Sequence, residues 1–173
     1  IRRVQKGGAR FDYEKACWIN QQHISKSDVK TLMEQKSVKE ILEKVDEKKR
    51  INILNLVKNR LKTINDLKNE IRFLDDPLEY DKISVTKLKD KDPVKIMDQI
   101  IILLNSDIEI GDMKQSLFDW GNKEKVPFSL IMQTLRLAIV GQLSGPDLFQ
   151  ICALLGKDVS LKRVEKLKAF YLK

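Results

Sequence analysis

Apolar residues recur three or four positions apart along most of the chain, which is the spacing of one face of an α-helix. Clear stripes of this kind occupy residues 38–45, 51–61, 64–71, 94–104 and 161–170. Strand-like alternation is almost absent, and residues 83–88, ISVTKL, are its single candidate. Only 7 glycines and 4 prolines interrupt the helical pattern. The sequence therefore predicts an all-α fold.

Polar residues with capping chemistry precede the helical stripes in the first half of the chain. Asp12 is predicted to cap a short helix that continues through Trp18, with Phe11 packing against its first turn. Ser37 and Thr63 are predicted caps for two further helices. The buried positions predicted for the stripe between them are Ile51, Leu54, Val57 and Leu61.

The second half of the chain shows similar start and stop signals. Asp92 before Pro93 predicts a helix start, since aspartate caps well and proline fits the first turn. Further helices are predicted over 112–120 and 127–140. Gly141 is the predicted end of the second of these, Pro146 the start of the next helix, Gly156 its end, and Ser160 or a neighbour the start of the last helix. The last helix is predicted to turn Leu161, Val164, Leu167 and Phe170 inward.

The segment 78–91 is polar and charged and has no strong period, so it is predicted to be a linker or long loop. It divides the chain into two predicted parts, 1–91 and 92–173. No convincing internal repeat is present, which disfavours a regular solenoid. The fold class that follows is an all-α, two-part helical bundle.

The motif HISKSD, residues 23–28, has two interpretations. A lysine loop that binds phosphates would need a nucleotide-binding sheet to present it, and the sequence predicts none. The favoured interpretation is the start of a helix whose apolar face is Val29, Leu32 and Met33. Ser25 with Asp28 resembles a capping box, and Ser27 is an alternative cap.

Charge and the reactive residue types narrow the function. The net charge is +8, from 33 basic and 25 acidic residues, which favours polyanionic partners, although many lysines alternate with acids as on a solvated helix face. Cys17, Cys152 and the single histidine, His23, lack metal-ligand spacing, so a zinc site or a catalytic triad is disfavoured. No apolar run is long enough for a membrane helix. The first residues, IRRVQKGGAR, contain no initiator Met, and we expect further domains upstream.

Two stretches together resemble a known family. They are GGARFDYEKACWINQQHI, residues 7–24, and LRLAIVGQLSGPDLFQICALLGK, residues 135–157. In this order they resemble the C-terminal, anticodon-binding part of bacterial glutamyl-tRNA synthetase, a class I aminoacyl-tRNA synthetase. The matches are Phe11, Asp12, Lys15, Trp18 and Asn20 in the first stretch, and Leu135, Arg136, Ala138, Gly141, Pro146, Leu148, Phe149 and Gly156 in the second. The resemblance implies an α-helix cage.

The resemblance also implies which residues contact tRNA. Arg136 would hydrogen-bond or stack on an anticodon base, because single-stranded bases are splayed out and read on their edges. The other implied anticodon-binding residues are Arg60, Leu143, Gly145, Pro146, Leu148 and Phe149. Backbone contacts are expected from Arg2, Arg3, Lys6, Arg10 and Lys58, which add salt-dependent affinity. Without the resemblance, the pattern alone favours ordinary roles for these positions, namely core packing for the apolar residues and a solvated surface for the basic ones.

The parent enzyme implied by the resemblance is a cytoplasmic, monomeric glutamate–tRNA ligase that uses ATP and magnesium in an upstream catalytic domain. This chain would bind the glutamate tRNA, and the sequence leaves open whether it binds the glutamine tRNA as well. It would have no catalytic residue, metal or cofactor of its own and no membrane or DNA partner. Alone it should be inactive as a ligase. The alternatives are a helical protein-interaction module without specific RNA binding and, less favoured, a helical DNA-binding domain.

Overall fold

A computed structural model describes residues 11–77 and 79–173, and every regular element within those ranges is helical. The α-helices are α1 (Tyr13–Lys26), α2 (Val29–Glu34), α3 (Lys36–Ile41), α4 (Glu47–Val57), α5 (Leu67–Glu70), α6 (Lys82–Lys89), α7 (Pro93–Asn105), α8 (Ile110–Glu124), α9 (Phe128–Val140), α10 (Leu148–Leu155) and α11 (Lys157–Tyr171). Short 3₁₀ turns lie at Lys58–Arg60, Ile64–Asp66 and Arg72–Leu74. The prediction of an all-α fold is confirmed.

Several predicted helix boundaries are confirmed by their hydrogen bonds. The Asp12 carboxylate accepts from the Lys15 amide at 3.0 Å, and Asp92 caps α7 with Pro93 in its first turn. The Thr63 amide donates to the Asp66 carboxylate at 2.7 Å, as in a capping box. Gly141, with φ of 82°, ends α9. A capping residue acts within one turn, so these boundaries could be predicted from the local sequence.

The segment HISKSD ends one helix and begins another. Residues 23–26 form the last turn of α1, which therefore runs well beyond the predicted end at Trp18. A helix does begin after the motif, as expected, and Asp28 caps it by accepting from the Lys30 amide at 3.1 Å. The predicted caps Ser25 and Ser27 are wrong: both hydroxyls donate back to carbonyl oxygens of α1.

The prediction of a long loop over 78–91 is wrong, and so is a strand over 83–88. Helix α6 occupies most of the segment, and Asp81 caps it by accepting from the Ser84 amide at 2.8 Å. Only Ser84 and Leu88 of this helix are buried. Lysines and a threonine fill much of the remaining surface, so the apolar period is too weak to be recognised.

Four further details in α3, α4 and α11 differ from prediction. Ile51 is 45% exposed, whereas Ile53 is fully buried, because α4 is rotated relative to the expected stripe. Ser37 lies inside α3, whose N-cap is Gln35. Helix α11 begins directly after Gly156 rather than near Ser160, and Phe170 is 48% exposed.

The other two differences concern α8 and α10. Helix α8 is longer than its predicted range of 112–120 by a turn at its C-terminal end. Helix α10 is capped by Asp147, whose carboxylate accepts from the Gln150 amide at 2.9 Å. Pro146 therefore precedes the cap instead of opening the helix.

The hydrophobic core is continuous across the two predicted parts. Helix α11 packs along α7 and α9, α4 contacts α10, and α6 contacts α9. The buried side chains form one cluster that runs from Ile24 to Leu167. The division at residue 91 stays a prediction about chain organisation, while the described residues share one core. This core places the loop after α9 against the segment before α6.

Candidate functional site

A cleft of about 770 Å³ lies between the two predicted parts. Residues of the 60–81 segment form one wall, and residues 140–146, at the end of α9 and in the following loop, form the other. A cleft of this size accommodates a ligand of small-molecule dimensions, such as one nucleobase with its sugar.

Gly141 joins the two walls. Its carbonyl oxygen accepts the Asp81 amide at 2.9 Å, across the cleft floor. A Cβ atom at this position would lie 3.1 Å from the Glu79 carbonyl oxygen and 3.2 Å from Pro77 Cβ. The backbone φ of 82° is also in the left-handed region that favours glycine. The close approach of the segment 77–81 therefore depends on glycine here.

Arg136 holds the second wall in place. Its guanidinium donates from Nη1 to the Pro146 carbonyl oxygen at 2.8 Å, and the side chain is half-buried. A Cβ at Gly145 would lie 3.2 Å from the same nitrogen. Burial is the largest cause that lowers the pKa of Arg136, with Asp147 opposing it, and arginine stays protonated at neutral pH. The loop after α9 therefore lies against the positively charged Arg136 side chain.

Arg60 lies on the opposite wall and is paired with Glu70. Arg60 Nε and a Glu70 carboxylate oxygen lie 2.5 Å apart, with the Arg60 side chain 41% exposed. Exposed pairs of this kind contribute little to stability because solvent screens them. Arg60 is also close enough to Arg136 to contribute to its lowered pKa. The guanidinium of Arg60 is therefore available for exchange with another partner at the mouth of the cleft.

The cleft lining is acidic although the chain is basic. Its charged residues are Glu70, Asp75, Asp76, Glu79 and Asp81, against Arg60 and Arg72. Three of these carboxylates already accept from protein donors: Glu70 from Arg60, Asp76 from Lys166 and Asp81 from Ser84. The carboxylates repel phosphate groups, whereas a carboxylate can accept from an amino group such as that on a base edge. Hydrogen bonds from the Ser84 hydroxyl and amide are the main causes that lower the pKa of Asp81. Burial raises the pKa of Tyr80, also in the lining, to about 12.

Sequence reasoning missed Arg163 of α11, which does not line the cleft but hydrogen-bonds to the backbone on both of its sides. The guanidinium is 3% exposed and donates from Nη1 to the carbonyl oxygens of Phe73 and Ile139, both at 2.7 Å. Nη2 donates to the Leu74 carbonyl oxygen at 3.1 Å. The sequence signal that could have identified Arg163 is its position directly before Val164, on the inner face of a helix with an apolar stripe.

The structure brings together part of the set of predicted site residues. Arg60, Gly145 and Pro146 line the cleft, and Arg136 bonds to its rim. Leu143, on the loop, is half-buried. Thus one arginine from the first predicted part meets the signature loop of the second.

The remaining predicted residues lie elsewhere. Leu148 is 2% exposed and belongs to the core, while Phe149 is half-buried against it. Lys58 donates to the Ser27 carbonyl oxygen at 3.2 Å and so closes the end of α1. The predicted backbone contacts at Arg2, Arg3, Lys6 and Arg10 fall outside the described residues.

The described ranges contain neither a metal-binding cluster nor a membrane helix. Within residues 11–77 and 79–173, no group of three or more His, Cys, Asp or Glu side chains is arranged to hold a metal ion. None of the helices there has the length and apolar character needed to cross a bilayer. Cys17 and Cys152 are free thiols, and burial raises the pKa of Cys152 to about 11.

The fold and the cleft define an all-α domain with a cleft between its two predicted parts, and comparison with known proteins assigns its family. Residues 17–168 match the family model described as anticodon binding domain, and the chain belongs to that family. The resemblance to the C-terminal part of glutamyl-tRNA synthetase is thereby confirmed, and the protein-interaction alternative is not favoured.

Similar proteins carry the name glutamate–tRNA ligase. Those from Flavobacterium psychrophilum and Christiangramia forsetii are 31% and 30% identical over 173 and 177 residues. A crystal structure of a glutamate tRNA ligase from Elizabethkingia meningosepticum, in complex with its amino acid, superposes with a TM-score of 0.84 at 26% identity. Each comparison covers 96% of this chain, and the chain spans 34% of the length of each of these relatives.

Proposed function

We propose that this chain binds the anticodon loop of a glutamate tRNA as part of a glutamate–tRNA ligase. The observation that carries the proposal is the cleft at which Arg60 meets the Gly145–Pro146 loop, within a domain of the anticodon-binding family. The names of the similar proteins support the choice of tRNA and of glutamate.

The cleft suits a base better than a phosphate. Anticodon bases are splayed out of the stack, so each presents an apolar face and a polar edge. Val140 and Pro77 are partly exposed apolar residues of the lining, and carboxylates there can accept from base amino groups. Arg60, released from Glu70, donates to a base oxygen or ring nitrogen. The acidic lining keeps the backbone of the RNA outside.

The loop residues have different proposed parts. Arg136 presents Pro146 and turns its remaining guanidinium nitrogens toward a base edge. Gly145 permits the close approach, since its φ of 147° and lack of a side chain leave room beside Arg136. Leu143, on the loop after α9, is proposed to supply apolar surface to a base, while Leu148 and Phe149 support the loop from the core.

The basic excess acts on the RNA backbone. Phosphate contacts supply affinity that falls with salt and carries no sequence information. Arg2, Arg3, Lys6 and Arg10 are proposed for this part, together with Lys58 if its ammonium leaves the Ser27 carbonyl oxygen. Selectivity then comes from the cleft, and most of the affinity from charge.

The proposal also covers the ATP-dependent ligase reaction of the longer enzyme. ATP and magnesium would act in the portion of the ligase that this chain does not span, since the acidic lining of the cleft repels the phosphates of a nucleotide. Such a ligase would be a cytoplasmic monomer, and this chain alone would not charge tRNA. Titration with a glutamine-tRNA transcript beside the glutamate-tRNA transcript measures whether this chain distinguishes the two.

Nuclease footprinting of a glutamate-tRNA transcript tests the proposed site. The chain is added in the presence of heparin, which removes binding that depends on charge alone. Protection concentrated on the anticodon loop supports the proposal. Protection spread evenly over the transcript, and abolished by heparin, would contradict it and return attention to the protein-interaction alternative.

A further inference from the structure

The walls of the cleft are held by backbone groups that need external donors. The 3₁₀ turn Arg72–Leu74 and helix α9 both end at the cleft, and the carbonyl oxygens of a helix's last turn have no partner within the helix. Their chain continuations, 75–81 and 140–146, carry most of the lining. Anything that fixes these two ends therefore sets the distance between the walls.

Arg163 satisfies both ends at once. One nitrogen, Nη1, donates to Phe73 on one side and to Ile139 on the other, at 2.7 Å each. Leu74 receives a third bond, from Nη2, and Asp76 Oδ1 lies 3.8 Å from Nε. Arg163 is only 3% exposed, so protein carbonyl oxygens replace water at Nη1 and Nη2, while none of the described residues accepts from the buried Nε.

Lys166 extends the same arrangement by one turn of α11. Its ammonium donates to the Asp76 carboxylate at 2.7 Å and to the Pro77 carbonyl oxygen at 2.8 Å. Asp76 and Pro77 both line the cleft. Unlike Arg163, Lys166 is 43% exposed, so its side chain can be changed without opening the core.

We propose that Arg163, supported by Lys166, is a positioning residue that sets the spacing of the cleft walls and thereby the discrimination among anticodon bases. The inference rests on the proposed function, and it adds that a residue outside the cleft controls selectivity. Arg163 does not touch the RNA. It acts through Phe73, Leu74 and Ile139, whose carbonyl oxygens it holds together.

The test compares Arg163→Lys with wild type and with a matched control, Arg50→Lys. Arg50 also donates to loop carbonyl oxygens, those of Val45 and Glu43 at 2.9 and 3.0 Å, but that loop does not line the cleft. Each protein is checked by circular dichroism and titrated with a glutamate-tRNA transcript and with the same transcript carrying a changed anticodon. The readout is the ratio of the two dissociation constants.

Arg163→Lys is expected to reduce that ratio by about tenfold, since charged hydrogen bonds to buried carbonyls are lost. Arg50→Lys is expected to lose stability and keep the wild-type ratio. A folded Arg163→Lys protein with an unchanged ratio would overturn the inference. Should that variant fail to fold, Lys166→Gln decides in the same way, with a reduced ratio expected and an unchanged one contradicting the inference.

Hydrogen exchange at the Asp81 amide reports on the spacing of the cleft walls in the absence of RNA. This amide donates to Gly141 across the cleft floor, and it should exchange faster in Lys166→Gln and Arg163→Lys but not in Arg50→Lys. Unchanged exchange would overturn the positioning role. A wild-type chain that ignores the anticodon would instead defeat the proposed function, and the exchange experiment would still decide whether Arg163 sets the walls.

Discussion

The Arg136 guanidinium donates to the Pro146 carbonyl oxygen at 2.8 Å, and this bond ties helix α9 to the loop that follows it. The two residues are ten positions apart, so the loop after α9 turns back and contacts a side chain of that helix. The loop then presents Gly145 and Pro146 to the cleft. A residue that looks like a surface arginine in the sequence is in this structure half-buried and hydrogen-bonded to the loop that lines the cleft.

Replacing Arg136 with alanine should weaken binding of a glutamate-tRNA transcript by about 1–3 kcal/mol, because a base contact and the hold on Pro146 are lost together. Arg136→Lys keeps the charge and should recover only the salt-dependent part of the affinity. Filter binding of the folded variants measures both. Unaltered binding by Arg136→Ala would remove this residue from the site.

Gly141→Ala should destabilise the fold by roughly 1–2 kcal/mol or more, since a left-handed φ is costly for any residue with a Cβ and this Cβ meets Glu79. Gly111 provides the matched control, because it lies in α8 and a Cβ added there would meet nothing within 4 Å. Gly111→Ala should be neutral or stabilising by up to about 1 kcal/mol. Urea unfolding measures both, and equal effects would contradict the account of Gly141.

Glu70→Gln should raise the affinity for a glutamate-tRNA transcript at low salt by about threefold, because the cleft loses a carboxylate and Arg60 loses a competing partner. The control is Glu34→Gln, an exposed glutamate that does not line the cleft. If both variants gain equally, the effect belongs to net charge and not to the cleft.

Asp28→Ala should cost about 1 kcal/mol of unfolding free energy, because the first amides of α2 lose their acceptor. Ser25→Ala is the comparison, since the Ser25 hydroxyl only donates back to a carbonyl of α1. Its cost should be clearly smaller. Thermal unfolding measures the loss of stability in both variants. A larger loss in Ser25→Ala would contradict the observed cap and support the predicted capping box of Ser25 with Asp28.

The alkaline side of the stability profile should depend on Tyr80. Burial raises the folded-state pKa of Tyr80 to about 12 from an ordinary 10, so the unfolded chain releases the phenolic proton first. The free energy of unfolding should therefore be maintained below pH 10 and fall between pH 10 and 12. Tyr80→Phe should flatten this fall. An identical profile in the variant would show that other groups, such as Cys152, account for it.

Local signals explain why much of the fold is predictable from the sequence. Asp12, Asp92, Gly141 and Gly156 act within one turn of their own position, and the sequence shows them directly. Helix α6 was missed because only Ser84 and Leu88 are fully buried, with Val85 partly buried beside them. A short helix with so narrow a buried face has almost no apolar period to detect.

The site is less accessible to sequence reasoning than the helices are. Arg60 and the Gly145–Pro146 loop were predicted through a family resemblance, and their meeting at one cleft required the structure. Arg163 was missed because its partners lie 24 and 90 residues away. Such long-range bonds depend on how α11 packs, and no local pattern encodes them.

The most direct test measures binding of this chain to a glutamate-tRNA transcript, and to the same transcript with a changed anticodon, at two salt concentrations. The account predicts that affinity for both falls with salt, while the preference for the correct anticodon survives. Equal affinity for the two transcripts, fading together as salt rises, would contradict it and leave only charge attraction between a basic chain and RNA.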